Sequence, residues 1–407
     1  MRVRRPVAVA ATALLALLVT GAASAAQAAP AASGSAAQRY IVVLADDAAP
    51  GKVAAEHSRG HGATVSHVYR YALQGYAASM SPAAAARVAA DPRVERVEPD
   101  GMVSTAAQSL PTGVDRVDGE LSSTVAGNGS GTVNVDVAVI DTGIDLDHPD
   151  LNVYRTGAKN CSTGKSADDG NGHGTHVAGT IGALDNTTGV VGVAPGARLW
   201  PVRVLNNAGS GSWSSIICGV DFVTANADKI DVANMSLGGS GTDGPCSSSA
   251  LHQAICSSVA KGVTYVVAAG NSAADAAGFV PATYQEVITV SALADFDGRP
   301  GGLAAPTCRT DVDDTFADFS NYGADVDLIA PGVCITSTWK GGGYSTISGT
   351  SMASPHVAGG AALYKAGNPT ATPAQVKTAL QNAGNLDWND VDDPDGTKEV
   401  LLNVDAF

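Results

Sequence analysis

Basic residues are scarce in this chain: 24 Lys and Arg stand against 39 Asp and Glu, for a formal charge of −15. That balance argues against nucleic acid and anionic membrane surfaces as partners, since both are bound through Lys and Arg. Long apolar runs are also missing. Past the first 28 residues nothing approaches the roughly 18 uninterrupted apolar residues of a membrane span. The six cysteines show no C-x-x-C spacing, which removes the common zinc patterns, and the sequence has no internal repeat. What is present is a chain of 407 residues, 45% apolar and with 47 glycines. That is long enough for a large core plus a second unit, and it suits a compact α/β enzyme with many tight turns.

The charge is unevenly spread. Residues 1–106 hold 10 basic and 7 acidic side chains, whereas residues 107–407 hold 14 and 32. An acidic surface keeps an exported protein soluble and attracts cations. Residues 1–28 read as a secretory signal. Arg2, Arg4 and Arg5 lead, Val7–Val19 is apolar, and Ala23-Ser-Ala25 and Ala26-Gln-Ala28 offer small-residue cleavage sites. A secreted, extracellular chain without a membrane anchor is expected. Cys161, Cys218, Cys246, Cys256, Cys308 and Cys334 all follow Ala107, and an even count in an exported chain implies disulfides. Fifteen pairings are possible. Short separations favour Cys246–Cys256 and Cys308–Cys334 as local staples, leaving Cys161–Cys218.

Residues 29–38 are an Ala/Ser-rich linker, and residues 39–103 read as a small α+β unit. Alternation marks strands at Tyr40–Leu44, Ala63–Tyr69, Gly75–Met80 and Val94–Asp100, and helices at Pro50–Gly60 and Pro82–Ala90, a split β-α-β-β-α-β pattern. After Ala107 strands and helices alternate. The strands are Val133–Ile140, Leu199–Val204, Val232–Met235, Val263–Ala268, Val287–Val290 and Val326–Ile329. The helices are His173–Leu184, Trp213–Ala225, Ser248–Lys261, Ser351–Lys365 and Pro373–Ala383. The expected fold class is therefore α/β, a mostly parallel sheet covered by helices on both faces and preceded by the small unit.

Three blocks carry the chemistry. Asp141 ends the apolar run Val137–Ile140, His173 opens His173-Gly-Thr-His176-Val-Ala-Gly-Thr180, and Ser351 lies in Gly349-Thr-Ser-Met-Ala-Ser-Pro-His356. A serine hydroxyl is a weak nucleophile and needs a base and an orienting carboxylate. The order Asp, His, Ser is one of the chain orders in which that triad occurs. In a parallel sheet, sites form at the carboxyl ends of strands and the helix starts beside them. Asp141 ends a strand, and His173 and Ser351 begin helices. His176, one turn after His173, is a rival base. The His block is not the zinc pattern H-E-x-x-H, the Ser block is not the G-x-S-x-G elbow, and no cysteine lies near His173 in sequence.

From about Ala107 to the C-terminus, these blocks in this order resemble those of the subtilisin-like serine proteases, most nearly the secreted bacterial members made with a pro-segment. The resemblance implies an endopeptidase in which Asp141 orients His173, His173 rather than His176 takes the Ser351 proton, and Ser351 forms an acyl-enzyme. Ser348 and Ser354 have no role by this comparison. The oxyanion would be met by the Ser351 N–H and by Asn271, which ends Val266-Val-Ala-Ala-Gly-Asn271.

An extended substrate would run between the edges Gly209-Ser210-Gly211 and Ser236-Leu237-Gly238-Gly239. The first pocket would lie between Ser236–Gly238, Ala268–Gly270 and residues 276–278, where Asp275 is the nearby charge, so a broad apolar preference is expected. Trp213 either lines an outer apolar pocket or packs in the core. A structural calcium is implied, held by Gln108, Asp150, Asn186 and the carbonyls of Leu184, Thr188 and Val190.

The unit at 29–106 resembles the inhibitory pro-segment of these proteases. It would restrain the peptidase domain at 107–407 until autoprocessing before Ala107 leaves Ala106, and Val103 three residues upstream of it, on the pro-segment side. A monomer acting on proteins and peptides is expected. Two segments have no assigned role: the insertion Asp295–Asp314, and the acidic run Asp387–Asp395, which reads as an exposed loop and is no EF-hand because Pro394 intrudes and the twelfth-position Glu is missing.

Overall fold

A computed structural model describes residues 37–100 and 107–407. The chain separates into two compact units, one ending at Val103 and the other starting at Ser104. The proposed signal, together with Val103 and Ala106, lies outside the described residues.

The first unit consists of β1 (Gln38–Leu44), α1 (Pro50–His61), β2 (Thr64–Tyr69), β3 (Gly75–Met80), α2 (Pro82–Ala89) and β4 (Val94–Pro99). Its strands form an antiparallel sheet in the order β2-β3-β1-β4. α2 starts where the sequence marks it: the Ser81 side chain accepts from the Ala84 N–H and Pro82 follows, a position whose missing N–H costs nothing. Val42, Leu44, Val53, Tyr76, Met80 and Val88 close the core.

The second unit contains α3 (Thr112–Arg116), β5 (Asp136–Asp141), β6 (Lys159–Asn160), α4 (His173–Gly182), β7 (Arg198–Arg203), α5 (Trp213–Ala225), β8 (Ile230–Met235), β9 (Gly239–Ser240) and α6 (Ala250–Val259). It continues with β10 (Thr264–Ala268), β11 (Phe279–Val280), β12 (Ile288–Ala294), β13 (Thr315–Phe316), β14 (Leu328–Pro331), β15 (Ile335–Trp339), β16 (Gly343–Ile347), α7 (Thr350–Gly367) and α8 (Pro373–Ala383). Eight strands form one sheet in the order β13-β12-β10-β8-β5-β7-β6, with β14 also on β12. All of its pairs are parallel except β12–β13.

The strands are apolar on both faces because both faces are covered. In β5, Val137 and Val139 join the core under α4, α7 and α8, while Ala138 and Ile140 join the core under α5 and α6. β10 repeats this, with Val266 on the first face and Tyr265 and Val267 on the second. The starts of α5, α6 and α8 are capped locally by Ser212, Ser249 and a Thr372–Gln375 capping box.

Boundaries moved where backbone bonds go elsewhere. β5 begins at Asp136, not Val133, because the Val133 N–H donates to the Pro195 carbonyl. α4 stops at Gly182, not Leu184, and the Leu184 N–H turns to the Asp150 carbonyl. The β15–β16 hairpin was not anticipated, since its polar Thr and Ser residues give no core signal. The three disulfides are Cys161–Cys218, Cys246–Cys256 and Cys308–Cys334. Among the described residues no helix is long and apolar enough to cross a membrane.

Candidate active site

Asp141 is the last residue of β5 and is fully buried. Its Oδ1 accepts the Thr142 N–H at 2.7 Å and lies 2.8 Å from His173 Nδ1. His173 is the first residue of α4, and its side chain is a quarter exposed. The approach needs Gly174, because a Cβ there would run into the Gly143 carbonyl and crowd Asp141. Burial pulls the His173 pKa down, but the charge and hydrogen bond of Asp141, with a smaller push from Asp169, more than reverse this and leave it raised. An imidazole held at Nδ1 by a carboxylate has Nε2 left for proton transfer.

Asp169 is the main residue that sequence reasoning missed. Its Oδ1 accepts from Thr142 Oγ1 and from the Asn171 and Gly172 N–H groups, and its Oδ2 accepts from the Thr175 N–H and Oγ1. It therefore caps α4, whose N-cap residue Gly172 has no side chain to do so, and ties that helix to the end of β5. The only sequence signal was an acidic residue four positions before the helix start.

His176 is not a competing base. It is fully buried, its Nε2 meets the carbonyls of Ile335 at 2.9 Å and Ser345 at 3.2 Å, and burial pushes its pKa down to about 3. It fastens the β15–β16 hairpin to α4.

Ser351 stands in the first turn of α7, where backbone N–H groups have no partner within the helix. Its hydroxyl donates to the Ser236 carbonyl at 3.3 Å, and its own carbonyl accepts from Ser236 Oγ at 2.8 Å. Behind it, Asn234 Nδ2 donates to Ser236 Oγ at 2.9 Å, and Ser354 Oγ donates to Asn234 Oδ1 at 2.5 Å. Ser354, which had no expected role, thus helps seat α7 on β8. Ser348 accepts the Cys334 N–H at 2.9 Å.

Asn271 follows Gly270, which has φ +110 and no room for a Cβ against the Asn321 amide. Asn271 Oδ1 accepts the Thr350 N–H at 2.8 Å and Thr350 Oγ1 at 2.9 Å. Because an N–H must face an oxygen, these bonds fix the side chain's orientation and leave its NH₂ free to donate.

A cleft of about 770 Å³ is lined by His173, by Gly209, Ser210 and Gly211 on one edge, and by Ser236, Leu237 and Gly238 on the other. Trp213 lines it too, 40% exposed at the start of α5, together with Leu205 and Ile216. None of the lining residues is Asp, Glu, Lys or Arg. Ala268 and Gly270 lie outside this lining, and Ala268 is buried. The antiparallel pair β9–β11 brings Phe279 and Val280 beside Gly239. Asp275 is used locally, accepting the Ala277 N–H at 2.9 Å.

Away from the cleft, the expected calcium ligands Gln108, Asp150 and Asn186 meet around the loop 184–190. Gln108 Nε2 lies 2.6 Å from the Leu184 carbonyl and 3.1 Å from that of Val190, while its Oε1 is buried without a hydrogen bond. Asp150 Oδ1 accepts from Asn186 Nδ2 at 2.7 Å, and Asp150 Oδ2 accepts from the Val190 N–H and from Tyr344 Oη. The Thr188 N–H bonds Asn186 Oδ1 at 2.6 Å. Burial raises the Asp150 pKa against these bonds. An orphaned amide oxygen, a buried carboxylate and convergent carbonyls are the all-oxygen donor set that calcium takes, so the residues fit that ion.

The insertion Asp295–Asp314 surrounds a buried arginine. Arg116 Nε donates to Asp314 Oδ1 at 3.0 Å, its guanidinium lies 3.0 Å from Asp295 Oδ2, and Asp314 Oδ2 accepts from the Gly302 N–H.

Comparison with known proteins agrees with this architecture. Residues 132–399 match the model of the subtilase family, and residues 39–106 match that of peptidase inhibitor I9. An alkaline protease of Shouchella clausii is 44% identical over 292 residues, 72% of this chain and 69% of that protein. An extracellular serine proteinase of Thermus sp. (strain Rt41A) is 44% identical over 331 residues, covering 78% and 73%. Subtilisin E of Bacillus subtilis (strain 168) is 40% identical over 325 residues, covering 79% and 78%. The crystal structure of a cold-adapted subtilisin-like serine proteinase superposes with a TM-score of 0.58 at 37% identity, covering 74% of this chain and 99% of that one.

Proposed function

Because this chain belongs to the subtilase family and is a serine protease with an I9 pro-domain, we propose that it is a secreted endopeptidase working through an acyl-enzyme on Ser351. The supporting observation is the buried Asp141 carboxylate 2.8 Å from His173 at the wall of a glycine-edged cleft. In the first half-reaction Ser351 Oγ bonds to the substrate carbonyl carbon and its proton passes to His173 Nε2. His173 then returns that proton to the leaving amine as the C–N bond breaks. Water repeats the sequence on the ester and frees Ser351. The Ser351 N–H and the Asn271 NH₂ meet the oxyanion.

Asn271→Ala should lower kcat by about 10²–10³ with KM little changed, a magnitude known for this donor in a subtilisin rather than calculated for this protein. A KM effect alone would remove Asn271 from the oxyanion site.

The pro-segment at 29–106 would be cut before Ala107, so the enzyme should accept small and aliphatic side chains at its own junction. The uncharged lining of the cleft supports that reading. N-terminal sequencing of the mature protein should start at or within a few residues of Ala107. A strict demand for Arg or Lys before the cut would contradict it.

Calcium at the Gln108, Asp150, Asn186 loop, with the Leu184, Thr188 and Val190 carbonyls, would tie the start of the peptidase domain to the loop after α4. It would also neutralise an Asp150 charge that burial disfavours. Chelation should lower the melting temperature, since an ion at 100-fold over its Kd stabilises by about 2.7 kcal/mol. In Asp150→Ala the shift due to this site should vanish, and equal shifts with and without Asp150 would refute the assignment.

A further inference from the structure

We propose that a second cavity, continuous with the substrate cleft, takes a basic side chain of the substrate several residues before the cut, with Asp243 as the recognising carboxylate. The assignment rests on the serine endopeptidase reading above. The cavity holds about 430 Å³ between α5, α6 and the loop that follows β9. Trp213, Ile217, Leu251, Val280 and Tyr284 give it apolar walls, and Asp243 is the one Asp, Glu, Lys or Arg in its lining. Trp213 also lines the cleft beside His173, so the two cavities share a wall.

The edge Ser236–Gly239 leads from the nucleophile to this loop. The Ser236 carbonyl accepts from Ser351 Oγ, and the chain runs on through β9 to Asp243. An extended peptide advances about 3.3 Å per residue, so one that fills the edges 209–211 and 236–239 brings roughly its fifth or sixth residue before the cut to the second cavity. The loop is fixed in place. β9 pairs with β11, a Cβ on Gly239 would come within 3.0 Å of the Trp213 indole, and Cys246–Cys256 fastens the loop to α6.

The charge of Asp243 is not balanced by the protein. Among the described residues no hydrogen bond reaches its carboxylate, and its ion-pair partner is His252, whose Nδ1 lies 3.7 Å from Asp243 Oδ1. His252 Nε2 is already engaged by Glu286 at 2.9 Å, and its ring stacks on Tyr284. Two carboxylates thus share one imidazole, and even a protonated His252 leaves one negative charge over. Asp243, with its side chain a third exposed, presents that charge to the cavity. An arginine or lysine entering along the Trp213 face would pair with the carboxylate and lay its methylenes on Ile217, Leu251 and Val280. Nothing in the lining answers an acidic side chain. The cleft beside His173 is uncharged, so the residue immediately before the cut keeps its broad apolar preference.

The test uses internally quenched peptides with alanine immediately before the cut and one Arg, Gln, Glu or Leu at the fourth to seventh position before it. With the mature enzyme, Arg at the fifth or sixth position should raise kcat/KM over Gln by about three- to tenfold, through an ion pair and a cation–π contact. Glu should fall below Gln. Salt at about 1 M should erase most of the difference, since the screening length is then about 3 Å. Asp243→Asn should bring the Arg-to-Gln ratio to about one, and Asp243→Lys should place Glu above Arg. Each ratio is taken within one enzyme preparation, so a partly folded variant does not mimic the result. Equal rates for Arg and Gln at all four positions, a Leu peptide cut faster than the Arg peptide, or an Arg advantage kept in Asp243→Asn would overturn the subsite while the protease reading stands. A wild-type enzyme that cuts neither these peptides nor casein would remove that reading, and the subsite with it.

Discussion

Replacing Ser351 by alanine is expected to abolish casein hydrolysis and to leave the precursor uncut. The change removes one oxygen from the first turn of α7. That oxygen makes a single 3.3 Å bond, to the Ser236 carbonyl, so folding should survive. The supports of the turn lie elsewhere, in the Ser236, Asn234 and Ser354 chain and in the Thr350–Asn271 pair. A loss of about 10⁶ in kcat is expected, the magnitude known when a subtilisin loses its nucleophile and carried over from it. The readouts are casein hydrolysis and the mass of the secreted chain. A folded Ser351→Ala chain that matures and cleaves casein at the wild-type rate would remove Ser351 from the chemistry.

Asp141→Asn should preserve the local shape and lower kcat by up to about 10⁴, the loss known for the same change in a serine protease of another fold and carried over from it. The Thr142 N–H requires an acceptor at the Oδ1 position, so the asparagine oxygen should stay there and still receive His173 Nδ1. What is lost is the negative charge that stabilises the imidazolium. The pH dependence has a definite sign. Asp141 holds the His173 pKa up against the downward pull of burial, so removing its charge lowers that pKa. His173 must be neutral to act as base, so the acidic limb of the kcat/KM profile should move to lower pH in the variant. An unmoved limb, or one displaced to higher pH, would show that Asp141 does not act on His173 through its charge.

The parts of this molecule that announce themselves locally were legible. Apolar runs such as Val137–Ile140 become strands because both sheet faces are buried, and Ser212, Ser249 and Thr372 mark helix starts through their own side chains. His173 and Ser351 were visible because small residues must surround a helix start that packs against a strand end. Asp169 was not, since its five donors come from residues spread between 142 and 175 and meet only in the fold. The buried Arg116–Asp314 pair joins residues 198 apart, and no local pattern points to it. Two bare carboxylate oxygens, at Asp393 and Glu399, were hidden for the same reason, because an acidic run reads as solvated surface until Trp388 draws it onto the sheet.

The most direct measurement is the site of covalent modification by a serine-directed phosphonate on the mature enzyme. Peptide mass spectrometry should place one label per chain, on Ser351, with casein hydrolysis falling in step with labelling and both prevented by His173→Ala. A label on another residue, or full activity in a chain completely labelled at Ser351, would contradict the mechanism proposed for this fold.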